Sequence, residues 1–154
     1  MDERAPLGLL RALCATLPGD ELTRDRGAFF KSIHGTLNHI AYADLAFFSR
    51  FTGIPAEVLE LGVDVCADFA ELRGTREALD LRPRDWTATL VPEWLRDTLT
   101  YTSKVDGRRR TVPRWVLVVH LFKQQTHHRG EATALLWQMG PDMGSTDLPF
   151  MPSY

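Results

Sequence analysis

The chain has 154 residues, 44% hydrophobic and 25% charged, which is enough apolar material to bury a core without disulfide or metal staples. Its 18 Lys and Arg nearly balance 20 Asp and Glu, for a formal net charge of -2. These figures exclude a disordered segment, a small stapled scaffold and a fold coated with phosphate-neutralising charge.

Leu7 to Leu17 reads as a first helix, with Leu9, Leu10, Leu13 and Leu17 forming one apolar stripe that Pro18-Gly19 closes. After a polar break at Asp25 to Gly27, Phe29, Ile33, Leu37, Ile40, Ala41, Leu45 and Phe48 recur at three- and four-residue steps up to Gly53. This second helix has the clearest periodicity in the chain. Thr52 to Val63 reads as a loop, and Phe69, Leu72, Arg76 and Leu79 mark a third helix from Val65 to Leu81, which Pro83 is expected to end.

Between Leu95 and Pro113 the period drops to two, with Leu99, Tyr101 and Ser103 alternating with Thr residues. Asp106-Gly107 then supplies a turn, so a small β-hairpin is expected. Arg114 to Met139 is the last helix, stopped by Gly140-Pro141. In the tail from Gly144 to Tyr154, the apolar Leu148, Phe150 and Met151 are expected to dock onto the helices.

Together these segments predict an all-α fold, an up-down four-helix bundle with a small β-hairpin between the third and fourth helices, as a single domain over residues 1–154. Cys14 and Cys66 lack CxxC spacing and read as buried thiols of a cytoplasmic protein. The apolar run Trp115 to Val119 ends at His120, and Met1 to Pro6 is charged, so neither a membrane span nor a signal peptide is expected. Trp86, Trp94, Trp115 and Trp137 read as core or interface anchors.

All five histidines fall on two helices: His34 and His39 on the second, His120, His127 and His128 on the last. His120, Gln124 and His128 follow one another at four-residue steps and share a stripe, while His127 is turned by about 100° from His128. Two positions four apart on a helix can hold one metal ion, with a third ligand from another helix. The set this selects is His39, Gln124 and His128. A glutamine oxygen is a weaker donor than imidazole to zinc or nickel, so the ion is weakened or absent. His120 with His39 is a second geometric option, but His120 and His128 lie about 12 Å apart along the axis and cannot share an ion. The plainer alternative is that these are hydrogen-bonded core histidines. His34 and His127 read as surface groups or supports behind the ligands, and Asp44 as a helix-helix hydrogen-bond partner.

Ser32-Ile-His-Gly-Thr-Leu-Asn-His39, Asp44, Val118-Val-His120, Gln125-Thr-His-His-Arg-Gly-Glu131 and Asp147-Leu-Pro-Phe150 together resemble the DinB family, of DinB/YfiT type, over nearly the whole chain. The resemblance implies a four-helix bundle, usually a homodimer. It also implies a divalent metal held by one histidine of the second helix and two histidines four apart on the last. Carried over, these are His39 and His128, with Gln124 where the middle histidine is expected and Lys123 where an Asn is expected. Glu131 stands where Gln is more usual; with Arg129 it is expected to tie the last helix to its neighbours. The chain also starts later than most relatives.

Three protein ligands leave positions open, where an ion lowers the pKa of a coordinated thiol or water. Related families resemble thiol S-transferases that use mycothiol or bacillithiol, and maleylpyruvate isomerase. The resemblance therefore implies thiol or water attack on a small electrophile, with a low-molecular-weight thiol as co-substrate. The competing reading is a non-catalytic dimeric bundle that has lost tight metal binding. DNA binding is not expected, because Arg108-Arg109-Arg110 follows the Asp-Gly turn and reads as a solvated hairpin edge.

Overall fold

Helical periodicity with one interruption of alternating Thr-rich sequence folds as it reads. The computed structural model describes residues 6–55, 60–140, 142 and 144. Among them the order is α1 (Pro6–Cys14), α2 (Gly19–Thr23), α3 (Ile33–Thr52), α4 (Phe69–Thr87), α5 (Pro92–Arg96), β1 (Thr98–Thr102), β2 (Arg109–Pro113) and α6 (Arg114–Trp137). The fold is mostly helical, with a single two-stranded antiparallel sheet among the described residues. No helix among them is long and apolar enough to cross a membrane. The tail positions Leu148, Phe150 and Met151 lie outside the described residues.

Several boundaries differ from the sequence reading, each for a local reason. The second predicted helix starts at Ile33 rather than at Phe29. Lys31 takes a left-handed φ of 64°, and an isolated bridge joins Ala28 and Lys31, so the chain turns before the helix begins. Phe29 is consequently exposed rather than on the buried stripe. Ser32 Oγ accepts the Gly35 N–H at 3.0 Å, as an N-cap does. The third predicted helix is shifted to Phe69–Thr87 because Asp68 caps it, accepting the Glu71 N–H at 2.9 Å. Pro83 lies inside this helix and does not end it. Two short helices, α2 and α5, were not expected. The hairpin pairs Thr98 with Pro113 and Tyr101 with Arg110, but it is closed by a six-residue connection rather than by Asp106-Gly107 alone. The last helix follows its predicted course and ends where Gly140, at φ 104°, donates to the Trp137 carbonyl.

The chain divides into two compact units, one formed by residues 38–126 and the other by residues 1–37 with 127–154. In the first, Ala43, Phe47, Phe48, Phe51, Leu117 and Leu121 form a buried cluster, against which Trp86, Trp94, Leu99 and Tyr101 pack. Phe51 stacks on Trp86 with ring centroids 4.9 Å apart, and Trp94 meets Trp86 edge-on at 5.5 Å. The hairpin is clamped at its base, where Arg114 pairs with Asp97 at 3.2 Å and lies over the Trp94 ring. Two of the four tryptophans thus anchor this core, whereas Trp115 and Trp137 are exposed. In the second unit Leu10, Leu22, Ile33, Ala132, Leu135 and Leu136 are buried, as is Cys14, whose thiol is pushed up to about 12 by burial.

Gly35 sits where a Cβ would overlap the carbonyl oxygen of Phe30, a backbone atom that cannot swing aside. Gly35→Ala is therefore expected to destabilise the protein by about 1–3 kcal/mol despite alanine's better helix propensity. Urea denaturation checks this; an alanine variant as stable as the parent would refute the close approach.

Candidate metal centre

Within residues 38–126, α3 supplies His39 and Asp44 and α6 supplies Gln124 and Gln125, giving two adjacent cross-helix contacts. His39 Nε2 lies 3.2 Å from Gln124 Nε2. An amide nitrogen can only donate, so His39 Nε2 accepts and the neutral ring carries its proton on Nδ1. The ring is half-buried and lies nearly parallel to Tyr42, with centroids 6.2 Å apart. On its other flank in sequence, Asn38 accepts the Cys66 N–H at 2.9 Å and donates to the Cys66 carbonyl at 3.3 Å, tying the segment before α4 to α3.

Asp44, 1% exposed, receives the Arg76 guanidinium of α4 and the Gln125 amide of α6. Arg76 in turn donates to Asp80 at 2.8 Å, so one buried cation serves two carboxylates. Burial raises the Asp44 carboxyl above its usual 3.8, and Arg76 and Gln125 pull it back. Tyr42 Oη, Arg76 Nη1 and Gln125 Oε1 are buried in this unit without a hydrogen-bond partner among the described residues.

Within residues 1–37 and 127–154, a second cluster forms on α6 alone. Glu131 stands three residues after His128 and four after His127, the two spacings that share a helix face. Its Oε2 lies 2.7 Å from His128 Nδ1 and its Oε1 3.1 Å from His127 Nε2. The two rings meet edge-on at 4.8 Å, and Phe30 meets the His128 ring edge-on at 5.4 Å. One ligand atom from each of His127, His128 and Glu131 lies within 4.8 Å of the others, the sole such trio among the described residues.

Two ligands sharing a tetrahedral ion at ~2.1 Å sit about 3.4 Å apart. The His39–Gln124 separation of 3.2 Å fits that spacing. The amide must turn over, because only its carbonyl oxygen can ligate. The donor set, imidazole with a neutral oxygen, thus fits a divalent ion, but weakly. A family model matches residues 7–153, described as the DinB family. The chain belongs to the DinB family. No curated protein and no solved structure matches it.

For this DinB-family chain, the sequence reading of Asp44 agrees with the structure, where it joins α3 to α4 and α6. Arg76, picked out on the apolar stripe of the third predicted helix, is its buried partner. Other readings need correction. Of the two readings of His34, its burial in the first turn of α3 excludes the surface one and leaves a support behind the ligands open. His120 is exposed, its ring 5.4 Å from that of Phe47. Glu131 bonds His128 and lies within ion-pair distance of His127, both on its own helix, a reach set by the i+3 and i+4 spacings. Lys123 is exposed, one helical step off the Gln124 stripe. Arg110 forms a two-pronged pair with Asp106 at 2.7 and 2.8 Å, so part of the Arg108–Arg110 charge is answered inside the hairpin. The bond between Gln125 and Asp44 was missed by the sequence reading; its signal was the adjacency of Gln124 and Gln125 opposite the His39 and Asp44 pair.

Removing Arg76 leaves a buried carboxylate without its cation, so Arg76→Met is expected to cost about 3–5 kcal/mol, measured by urea denaturation. Asp44 also sets a pH dependence. Its folded pKa lies above the unfolded 3.8, so its contribution is full below 3.8 and is lost as the pH rises through the folded value. The stability of the parent relative to Asp44→Asn should therefore decline with rising pH across that window. A difference that grows instead would reverse the sign assigned to burial.

Proposed function

We propose that this DinB-family chain is a metal-dependent enzyme whose divalent ion, zinc or nickel, is held by His39, Gln124 and His128. The observation that carries the reading is the His39–Gln124 opposition across α3 and α6 at the spacing of two ligands on one ion. His128 follows Gln124 by four residues in the unbroken helix α6, the interval at which two side chains point the same way. The family resemblance adds an up-down four-helix bundle, usually homodimeric, and the sequence itself adds a single domain over residues 1–154, cytoplasmic and with no nucleic-acid partner.

When bound, such an ion supplies Lewis acidity, lowering the pKa of a coordinated thiol or water. The chain's own residues do the rest. His39 presents Nε2 because its proton is on Nδ1, and Tyr42 limits the tilt of the ring. Gln124 contributes either its carbonyl oxygen to the ion or its N–H to a neighbouring acceptor. The chemistry proposed is transfer of a low-molecular-weight thiol, or of water, to a small electrophile: the nucleophile gives its proton to solvent, its electron pair forms the new bond to carbon, and the leaving group on that carbon departs with the electron pair of the bond that breaks.

A second reading, a dimeric bundle without catalysis, draws on the same contact. The Gln124 amide satisfies His39 when no ion is present, so the fold does not require one.

Metal analysis separates the readings. Protein purified without chelator or immobilised-metal resin should carry zinc or nickel, and a free ion 100-fold above its Kd should add about 2.7 kcal/mol of stability. Less than about a tenth of an equivalent, with no thermal shift on adding Zn, Ni, Mn or Fe, favours the non-catalytic bundle. Gln124→His should raise uptake toward one equivalent and His39→Ala should abolish it. No gain in Gln124→His would refute the placement of the ion.

A further inference from the structure

Glu131 lies outside the proposed ligand set, yet its carboxylate reaches two histidines of α6. A carboxylate has only acceptor oxygens. At 2.7 Å, His128 Nδ1 must therefore donate to Oε2, while His127 Nε2 lies 3.1 Å from Oε1, within ion-pair distance. The neutral His128 ring thus carries its proton on Nδ1 and keeps the electron pair on Nε2.

We propose that Glu131 is a positioning residue for His128, fixing the tautomer and ring orientation in which Nε2 is the nitrogen offered to a divalent cation. The proposal rests on the reading of His128 as a ligand given under Proposed function. Three constraints converge on the ring: the Glu131 bond at Nδ1, the His127 ring edge-on at 4.8 Å and the Phe30 ring edge-on at 5.4 Å. Phe30 is itself set by the turn before α3, where its carbonyl approaches Gly35 too closely for any side chain there. Histidine ligands commonly donate their second N–H to a carboxylate, which orients the ring and strengthens the ligating nitrogen, and losing that partner weakens metal binding about 10- to 100-fold. Here the partner comes from the same helix, so its placement depends only on α6 staying helical between residues 127 and 131.

The test reads tautomers and metal affinity separately. Long-range 15N–1H spectra of the metal-free protein at pH 8, assigned by single His→Gln replacements, should show His128 protonated on Nδ1. In Glu131→Ala the His128 ring should shift toward the Nε2-protonated form that unconstrained histidine favours. Circular dichroism checks the fold of that variant, and the parent spectrum is decisive alone if the variant does not fold. His128 protonated on Nε2 in the parent, or a spectrum unchanged in Glu131→Ala, would overturn the proposal.

Zinc titration of the metal-free protein supplies the second readout. Glu131→Ala should bind zinc about 10- to 100-fold more weakly, while His127→Ala keeps the parent affinity within a few-fold. Uptake that survives His39→Ala but is lost in His127→Ala would also overturn the proposal, because the ion would then sit among His127, His128 and Glu131 themselves. An Nδ1-protonated His128 in a parent that takes up no zinc would refute the metal reading and leave the orientation of the ring by Glu131 standing.

Discussion

The unit formed by residues 38–126 is organised around one carboxylate that has lost its water. Asp44 is 1% exposed, and an ionised carboxyl group there is tolerable only with strong partners on several sides. It finds them in Arg76 of α4 and Gln125 of α6, and that need fixes three helices to one another at a single point. One residue away along α6 and five along α3, Gln124 meets His39. The candidate ligands therefore inherit their spacing from a structural pair. A buried ion pair of this kind contributes little net stability over an apolar replacement, but it is costly to break on one side only. Its value here lies in register: an apolar contact would let α6 slide or rotate against α3, whereas a guanidinium and an amide directed at one carboxylate do not.

The second cluster is held by different means. His127, His128 and Glu131 belong to one helix, and their contacts follow from the three- and four-residue spacings without any long-range folding decision. What comes from afar in sequence is Phe30, delivered by the tight turn at Lys31 and by a glycine that lets the backbone pass. Local order thus sets the protons and the turn before α3 sets the ring's surroundings.

The long helices were legible because their apolar residues repeat at 3.6-residue intervals over many turns, and the hairpin because Thr-rich alternation broke that period. Leu72, Arg76 and Leu79 showed the buried face of α4 even though one of them is charged. The start of α3 was misread because Phe29 is in phase with the stripe; hydropathy carries no trace of the left-handed Lys31 that turns it outward. Pro83 was taken as a stop, yet α4 runs four residues further, since a proline removes one hydrogen bond without forbidding a helix that other contacts hold. Of the candidate ligands read from spacing and the family resemblance, His39 and Gln124 have side chains that meet at 3.2 Å. Glu131 was assigned the wrong partners, because an acidic residue at helical spacing from two histidines reads equally well as a bridge to another helix.

In the proposed centre, glutamine at position 124, where the family resemblance implies a histidine, would act twice on cation affinity. It replaces a nitrogen donor with a weaker amide oxygen. It also gives the metal-free protein something to lose, since the amide already donates to His39 Nε2 at 3.2 Å and must let go and turn over before its oxygen can ligate. A hydrogen bond of this type contributes about 0.5–1.5 kcal/mol, a factor of roughly 2 to 10 in affinity before the difference in donor strength is counted. A histidine at 124 in the same place would meet His39 nitrogen to nitrogen, where one shared proton competes with the ion instead of a whole amide. In the proposed centre the residue would therefore stabilise the metal-free form rather than abolish the site. Such a centre would hold an ion only where the remaining ligands are well set, so the proposed orientation of His128 by Glu131 would carry more weight than it would beside three imidazoles.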